Sequence, residues 1–106
     1  MIKNLEKINI IKRSEVEQAV KIASKDSNIE KIVVFGSSIR DDCRESSDID
    51  FCFFVIPNHD KKVFNRTLID ICKACKSDLD TLRYDLLRGT ICDVINNKGV
   101  IVYDKL

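Results

Sequence analysis

"FGSSIRDDCRESSDIDFCFFV", residues 35–55, decides how this chain folds. An apolar run, Ile32-Val33-Val34-Phe35, stops at Gly36-Ser37. A polar loop over residues 37–47 then leads through Asp48-Ile49-Asp50 into a second apolar run that ends at Pro57-Asn58. Short β-branched and aromatic runs bounded by Gly and Pro predict two buried strands, Ile32–Phe35 and Asp50–Ile56.

Residues i and i+2 of a strand share a face, so Asp48 and Asp50 project together from the start of the second strand. Two like charges that close repel, and burial strengthens the repulsion. A chain that had only to fold would gain by losing one of them. A divalent cation between them removes the conflict: Mg²⁺ takes hard oxygen ligands and is commonly held by one or two carboxylates plus substrate phosphates. Asp80 lies inside a predicted third strand and can face the pair from a neighbouring strand, with Asp78 and Asp85 as open alternatives. Three carboxylates can hold two metals that flank an in-line phosphoryl displacement. At the other end of the stretch, Gly36 lets the backbone approach a ligand. A short helix starting at residues 37–40 would aim free amides at an anion. The Ser37 hydroxyl and the guanidinium forks of Arg40 and Arg44 add donors for phosphate.

Working outward, Ser14 to Glu17 fits a capping box and predicts a helix over 15–26. Residues 1–13 are basic and weakly patterned, a short strand or an arm. Asp60 is a candidate N-cap for a helix reaching Lys76. A strand follows over Leu79–Tyr84, then a helix over Asp85–Asn97, a stop at Gly99 and a last strand over Val100–Tyr103. The order α-β-β-α-β-α-β predicts an α/β fold, a small mixed sheet with helices packed mainly on one face. The 106 residues suffice for a single domain, 1–106.

The formal net charge is +1, so no whole-protein field draws nucleic acid or an anionic membrane. No apolar stretch approaches the roughly 18 residues of a spanning helix, and no secretory signal precedes the first helix. A cytoplasmic location is the expectation. The five cysteines are Cys43, Cys52, Cys72, Cys75 and Cys92, and an odd number in that setting argues against a disulfide framework. Cys72-x-x-Cys75 lacks a second ligand pair, and His59, the one histidine, is isolated in a loop. The two thiols read as small buried side chains.

Gly36-Ser37-x-x-Arg40, followed by Ser47-Asp48-Ile49-Asp50 running into apolar residues, resembles the signature of the DNA polymerase beta-like nucleotidyltransferases in their minimal form. The resemblance extends over nearly the whole chain. It implies the nucleotidyltransferase fold and transfer of a nucleoside monophosphate, AMP from ATP, to a hydroxyl with release of pyrophosphate. It further implies that Asp48, Asp50 and Asp80 are catalytic and ligate Mg²⁺ in a two-metal site. Gly36 and Ser37 would cradle the β and γ phosphates, Arg40 and Arg44 would neutralise them, and Ser47 would join the nucleotide-binding set. One departure stands out: Asp41-Asp42 follow Arg40 where the family often has Gly. Minimal members resemble the antitoxin half of a toxin–antitoxin pair whose toxin is a helical HEPN-type ribonuclease, and they add AMP to a hydroxyl on that toxin. The implied partners are ATP and a HEPN-type toxin; the alternative is an inactive module of the same fold that neutralises a partner by binding it. Exposed strand edges would also permit a homodimer.

Overall fold

The Val- and Ile-rich strand β1 (Ile29–Phe35) lies inside a four-stranded mixed sheet, in a computed structural model that describes Met1–Leu106. β1 runs antiparallel to β2 (Ile49–Val55) on one side and to β4 (Val100–Asp104) on the other. β3 (Leu79–Arg83) pairs parallel with β2 at the far edge, giving the order β3-β2-β1-β4. Three helices complete the fold: α1 (Ile10–Ala23), α2 (Lys61–Ala74) and α3 (Thr90–Lys98). This is the α/β arrangement that the order of elements predicts.

Strand alternation divides the core. Ile32 and Val34 of β1 and Ile49, Phe51 and Phe53 of β2 face α1 and α2, where Val16, Ala19, Val20, Phe64 and Ile71 meet them. Phe53 and Phe64 pack edge to face at 5.8 Å, an arrangement that suits the ring quadrupoles. Each buried Val, Ile or Phe among them contributes roughly 1.5–3 kcal/mol by leaving water. The alternate residues Val33, Phe35 and Cys52 face the other way, onto Ile91 and Ile95 of the short α3. Two helices therefore seal one face, and one short helix covers part of the other.

A buried polar knot fixes α2 to the turn before β1. Asp26 accepts hydrogen bonds from the Asn28 amide and side chain at 2.9 and 2.8 Å and from the Thr67 hydroxyl at 2.7 Å. Asp60 caps α2 as the sequence predicts, accepting from the amides of Lys62 and Val63.

Two helix starts differ from the sequence reading. Helix α1 starts at Ile10, not after Ser14, because the Asn9 side chain accepts from the Ile11 amide and caps it one turn earlier. The last four residues of the expected arm, Ile10–Arg13, are thus helix. The segment before it is pinned to the β4 edge, with Ile2 bridging Tyr103 and the Lys3 amide donating to Val102 O at 2.9 Å. Helix α3 starts at Thr90, not Asp85: Tyr84–Leu86 form a separate 3-10 turn, and Gly89 at φ 76 breaks the path between them. Gly99 follows α3 as the sequence predicts, in extended backbone at φ −67. Its reason is space, since a Cβ there would overlap Val33 of β1 and the Ile95 carbonyl.

Candidate functional site

The two ends of the opening stretch meet at one level of the sheet. Phe35, the last residue of β1, stands opposite Asp50 near the start of β2, and Asp50 stands opposite Asp80 of β3. Parallel pairing in register places the Asp50 and Asp80 carboxylates on the same face of adjacent strands. Asp48 sits one residue before β2. Asp50 and Asp80 therefore share the sheet face toward α3, with Asp48 near enough for its charge to act on Asp50.

Their electrostatics follow from that crowding. Burial, then the Asp80 and Asp48 charges, raise the Asp50 carboxyl above the ordinary carboxylate range, and Arg40 partly opposes them. Asp50 is half-buried, whereas Asp48 and Asp80 are exposed. The donor set is hard oxygen throughout, and its mutual repulsion is the kind a divalent cation relieves. As the side chains stand, they are not drawn into one coordination cluster.

Gly36 lies directly against this group. It takes φ 75, and a Cβ on it would overlap the Asp50 carboxylate. Only glycine meets both demands. Residues Gly36–Ile39 form one 3-10 turn, closed by the Arg40 amide donating to Ser37 O at 3.0 Å. The helical start expected at residues 37–40 is thus a single tight turn, which brings the backbone near the carboxylates without a helix dipole behind it. Ser37 is half-buried beside Gly36. Ser38 is fully buried, and its hydroxyl has no hydrogen-bond partner.

The other candidates divide. Arg40 Nε binds Asp42 Oδ1 at 3.0 Å, with both side chains largely in solvent; such a pair holds its geometry weakly. The Ser47 hydroxyl accepts from the Arg44 amide at 3.0 Å, so it closes the turn immediately before Asp48. Arg44 is exposed. Asp85 is tied to Arg83 at 2.5 Å, and that hydrogen bond holds its carboxyl below the usual range. Asp78 is exposed, and its carbonyl accepts from the Ile49 amide at 3.0 Å. Asp80 is thus the acid paired with Asp50 in the β2–β3 register.

Away from the site, the two thiols are not the buried pair that the sequence suggests: Cys72 is exposed on α2, and Cys75, half-buried just past its end, sets its thiol against the Glu15 carbonyl at 3.7 Å. Burial pushes that thiol up to about 11, so it is protonated and unreactive at neutral pH. No helix is long and apolar enough to cross a membrane.

Sequence reasoning passed over two residues that touch the site's frame. Asn9 donates its amide to Ser38 O at 2.7 Å and its side-chain nitrogen to Arg40 O at 2.9 Å. Lys12 is buried to 1% exposure. The signal for Lys12 was its spacing: it lies one turn before Val16 on the apolar face of α1. The largest cavity, about 480 Å³, opens beside Lys12, Glu15 and Ser77 and not over the carboxylates. Those three side chains already bond to one another through the Ser77 hydroxyl.

Comparison with known proteins agrees with this fold. The family description "Polymerase beta, Nucleotidyltransferase" matches residues 17–106. No functionally curated protein matches. Among solved structures, a toxin–antitoxin complex with AMP-PNP aligns over 83% of this chain and 72% of the other, at 18% identity and a TM-score of 0.69. The complex of a tri-AMPylated HEPN toxin with its MNT antitoxin, from Shewanella oneidensis, aligns over 88% and 72%, at 17% identity and a TM-score of 0.64. A protein provisionally described as a minimal nucleotidyltransferase aligns over 92% and 95%, at 17% identity and a TM-score of 0.64. At these identities the structural likeness speaks for the fold.

Proposed function

The chain belongs to the polymerase beta nucleotidyltransferase family, and on that premise we propose that it is a Mg²⁺-dependent adenylyltransferase acting on a partner protein, as the antitoxin of a HEPN-type toxin. The observation that carries the proposal is the alignment of Asp50 with Asp80 across β2 and β3, with Asp48 before β2 and Gly36 pressed against Asp50. Asp48, Asp50 and Asp80 would hold Mg²⁺, which when bound neutralises charge on the attacking and leaving oxygens. The chain's own residues do the rest by positioning and electrostatics. Gly36 and Ser37 bring backbone and hydroxyl donors to the β and γ phosphates. Arg40 leaves Asp42 to meet the same phosphates, and Arg44 adds charge from the loop. Ser47 keeps its turn closed, which holds Asp48 in place. Asp80 takes the proton of the acceptor hydroxyl. The hydroxyl oxygen bonds to the α phosphorus, the α–β anhydride bond breaks, and pyrophosphate leaves with the electron pair. The acceptor hydroxyl arrives on the toxin. The toxin–antitoxin neighbours, one with AMP-PNP and one with an AMPylated toxin, support this assignment.

Incubating the protein with a HEPN-type toxin and α-labelled ATP tests the proposal. Label should pass to the toxin with Mg²⁺ and fail to pass from Asp48→Asn. Unlabelled toxin after incubation with folded wild-type protein would reject it. One observation favours a second reading, a module that neutralises by contact alone: Asp42 occupies Arg40, and Asp41 adds a further charge to the phosphate turn. Under that reading Asp48→Asn still neutralises the toxin.

A further inference from the structure

We infer that one turn of helix α1 acts as a clamp that positions all three segments of the site from behind, with Lys12 as its central positioning residue. The inference rests on the nucleotidyltransferase reading for its effect on catalysis. Its structural basis is independent of it.

Asn9, the cap of α1, lies three residues before Lys12 in its first turn, and both face the site's loops. Asn9 grips the phosphate turn through Ser38 O at 2.7 Å and Arg40 O at 2.9 Å. Lys12 reaches the other two segments. Its Nζ donates to Glu45 O at 2.8 Å, three residues before Asp48, and to Ser77 Oγ at 2.7 Å, three residues before Asp80. Ser77 is locked in turn, its amide donating to one Glu15 carboxylate oxygen at 2.7 Å and its hydroxyl to the other at 2.8 Å. A single buried cation thus joins the loop that presents Asp48 to the strand entry that presents Asp80.

The placement is expensive for mere folding. Burying an ammonium carries a large desolvation penalty unless it is fully paired, and the same helix face continues with Val16, Ala19, Val20 and Ala23. An apolar residue would satisfy the core there. What it would not do is set the separation of two carboxylate-bearing segments, where a misplacement of about 1 Å can lower a rate about a hundredfold. Asn9, Lys12 and Glu15 all precede the residues matched by the family description, which leaves their role to be read from this structure.

The test compares amide hydrogen exchange in the metal-free full-length chain between wild type and Lys12→Met, with Thr67→Val as a control. Thr67→Val breaks the remote Asp26 knot, so it destabilises without touching the clamp. In Lys12→Met, exchange at residues 45–48 and 77–80 should rise about tenfold, the effect of losing a charge-assisted hydrogen bond, and Thr67→Val should leave those segments unchanged relative to the rest. Adenylyl transfer by Lys12→Met should show a kcat lower by about tenfold or more, a KM for ATP within about twofold, and a raised Mg²⁺ requirement. If Lys12→Met does not fold, Ser77→Ala serves, with faster exchange confined to 77–80. Unchanged exchange in both segments, or an equal rise in Thr67→Val, overturns the clamp. A wild-type protein that transfers no label would end the functional reading alone, because the exchange result still decides the clamp.

Discussion

The two faces of the sheet do different work. The face under α1 and α2 is closed, apolar and built around Phe51, Phe53 and Phe64. The face toward α3 is half-covered and carries Asp50 and Asp80 beside Cys52 and Leu82. Neighbouring residues of one strand serve both: Phe51 faces the closed core and Asp50 faces the open edge. A seven-residue strand can do this because its side chains alternate. The closed face supplies the stability that lets the open face keep three repelling acids together.

Paired substitutions on β2 would break this contrast most visibly. Phe53→Ala, in the closed core, should lower unfolding free energy by about 3–5 kcal/mol. Phe54→Ala, half-buried on the other face and stacked on Tyr84 at 4.4 Å, should lower it by about 1–2 kcal/mol. Urea titration of both variants measures the difference, and equal losses would mean that the faces share the stability.

Gly36→Ala comes next. A side chain at φ 75 is strained, and its Cβ would overlap Asp50. Stability should fall by about 1–3 kcal/mol, and nucleotide binding should weaken further, because the turn must move away from the carboxylates. Binding that survives with native affinity would separate the turn from the site.

The smallest effect concerns pH. Asp50 is raised in the folded protein by burial and by its acidic neighbours. A carboxyl with a raised folded pKa favours folding below its unfolded value, and this contribution is lost as pH rises through the folded value. Metal-free Asp50→Asn should therefore melt slightly above wild type near pH 8 and level with it near pH 4. A difference that is the same at both values would show that charge is not its cause.

How much of this was legible in the sequence varied with the kind of signal. Both central strands and the Gly36/Asp50 junction could be read, because Gly, Pro and alternation act locally. Asp60 was legible for the same reason. The start of α1 was misread because Ser14 offers a good capping pattern inside a helix that Asn9 already caps. Asp85 looked helical by periodicity, yet Gly89 interrupts the path, and Asp85 pairs with Arg83. Gly99 was legible as the stop after α3, but the reason a glycine stands there, contact with Val33, is distant in sequence. Lys12 was hidden for a related reason: both its partners, Glu45 and Ser77, are far away along the chain. Local chemistry could be read, whereas pairings across the fold had to be seen.

The central claim is that the open edge binds nucleotide through cation-bridged carboxylates. Thermal unfolding with AMP-PNP, with and without Mg²⁺, tests it most directly in wild type and Asp48→Asn. The account predicts a nucleotide-dependent rise in Tm for wild type that requires Mg²⁺ and is absent from Asp48→Asn. An equal rise without Mg²⁺, or in Asp48→Asn, would contradict it.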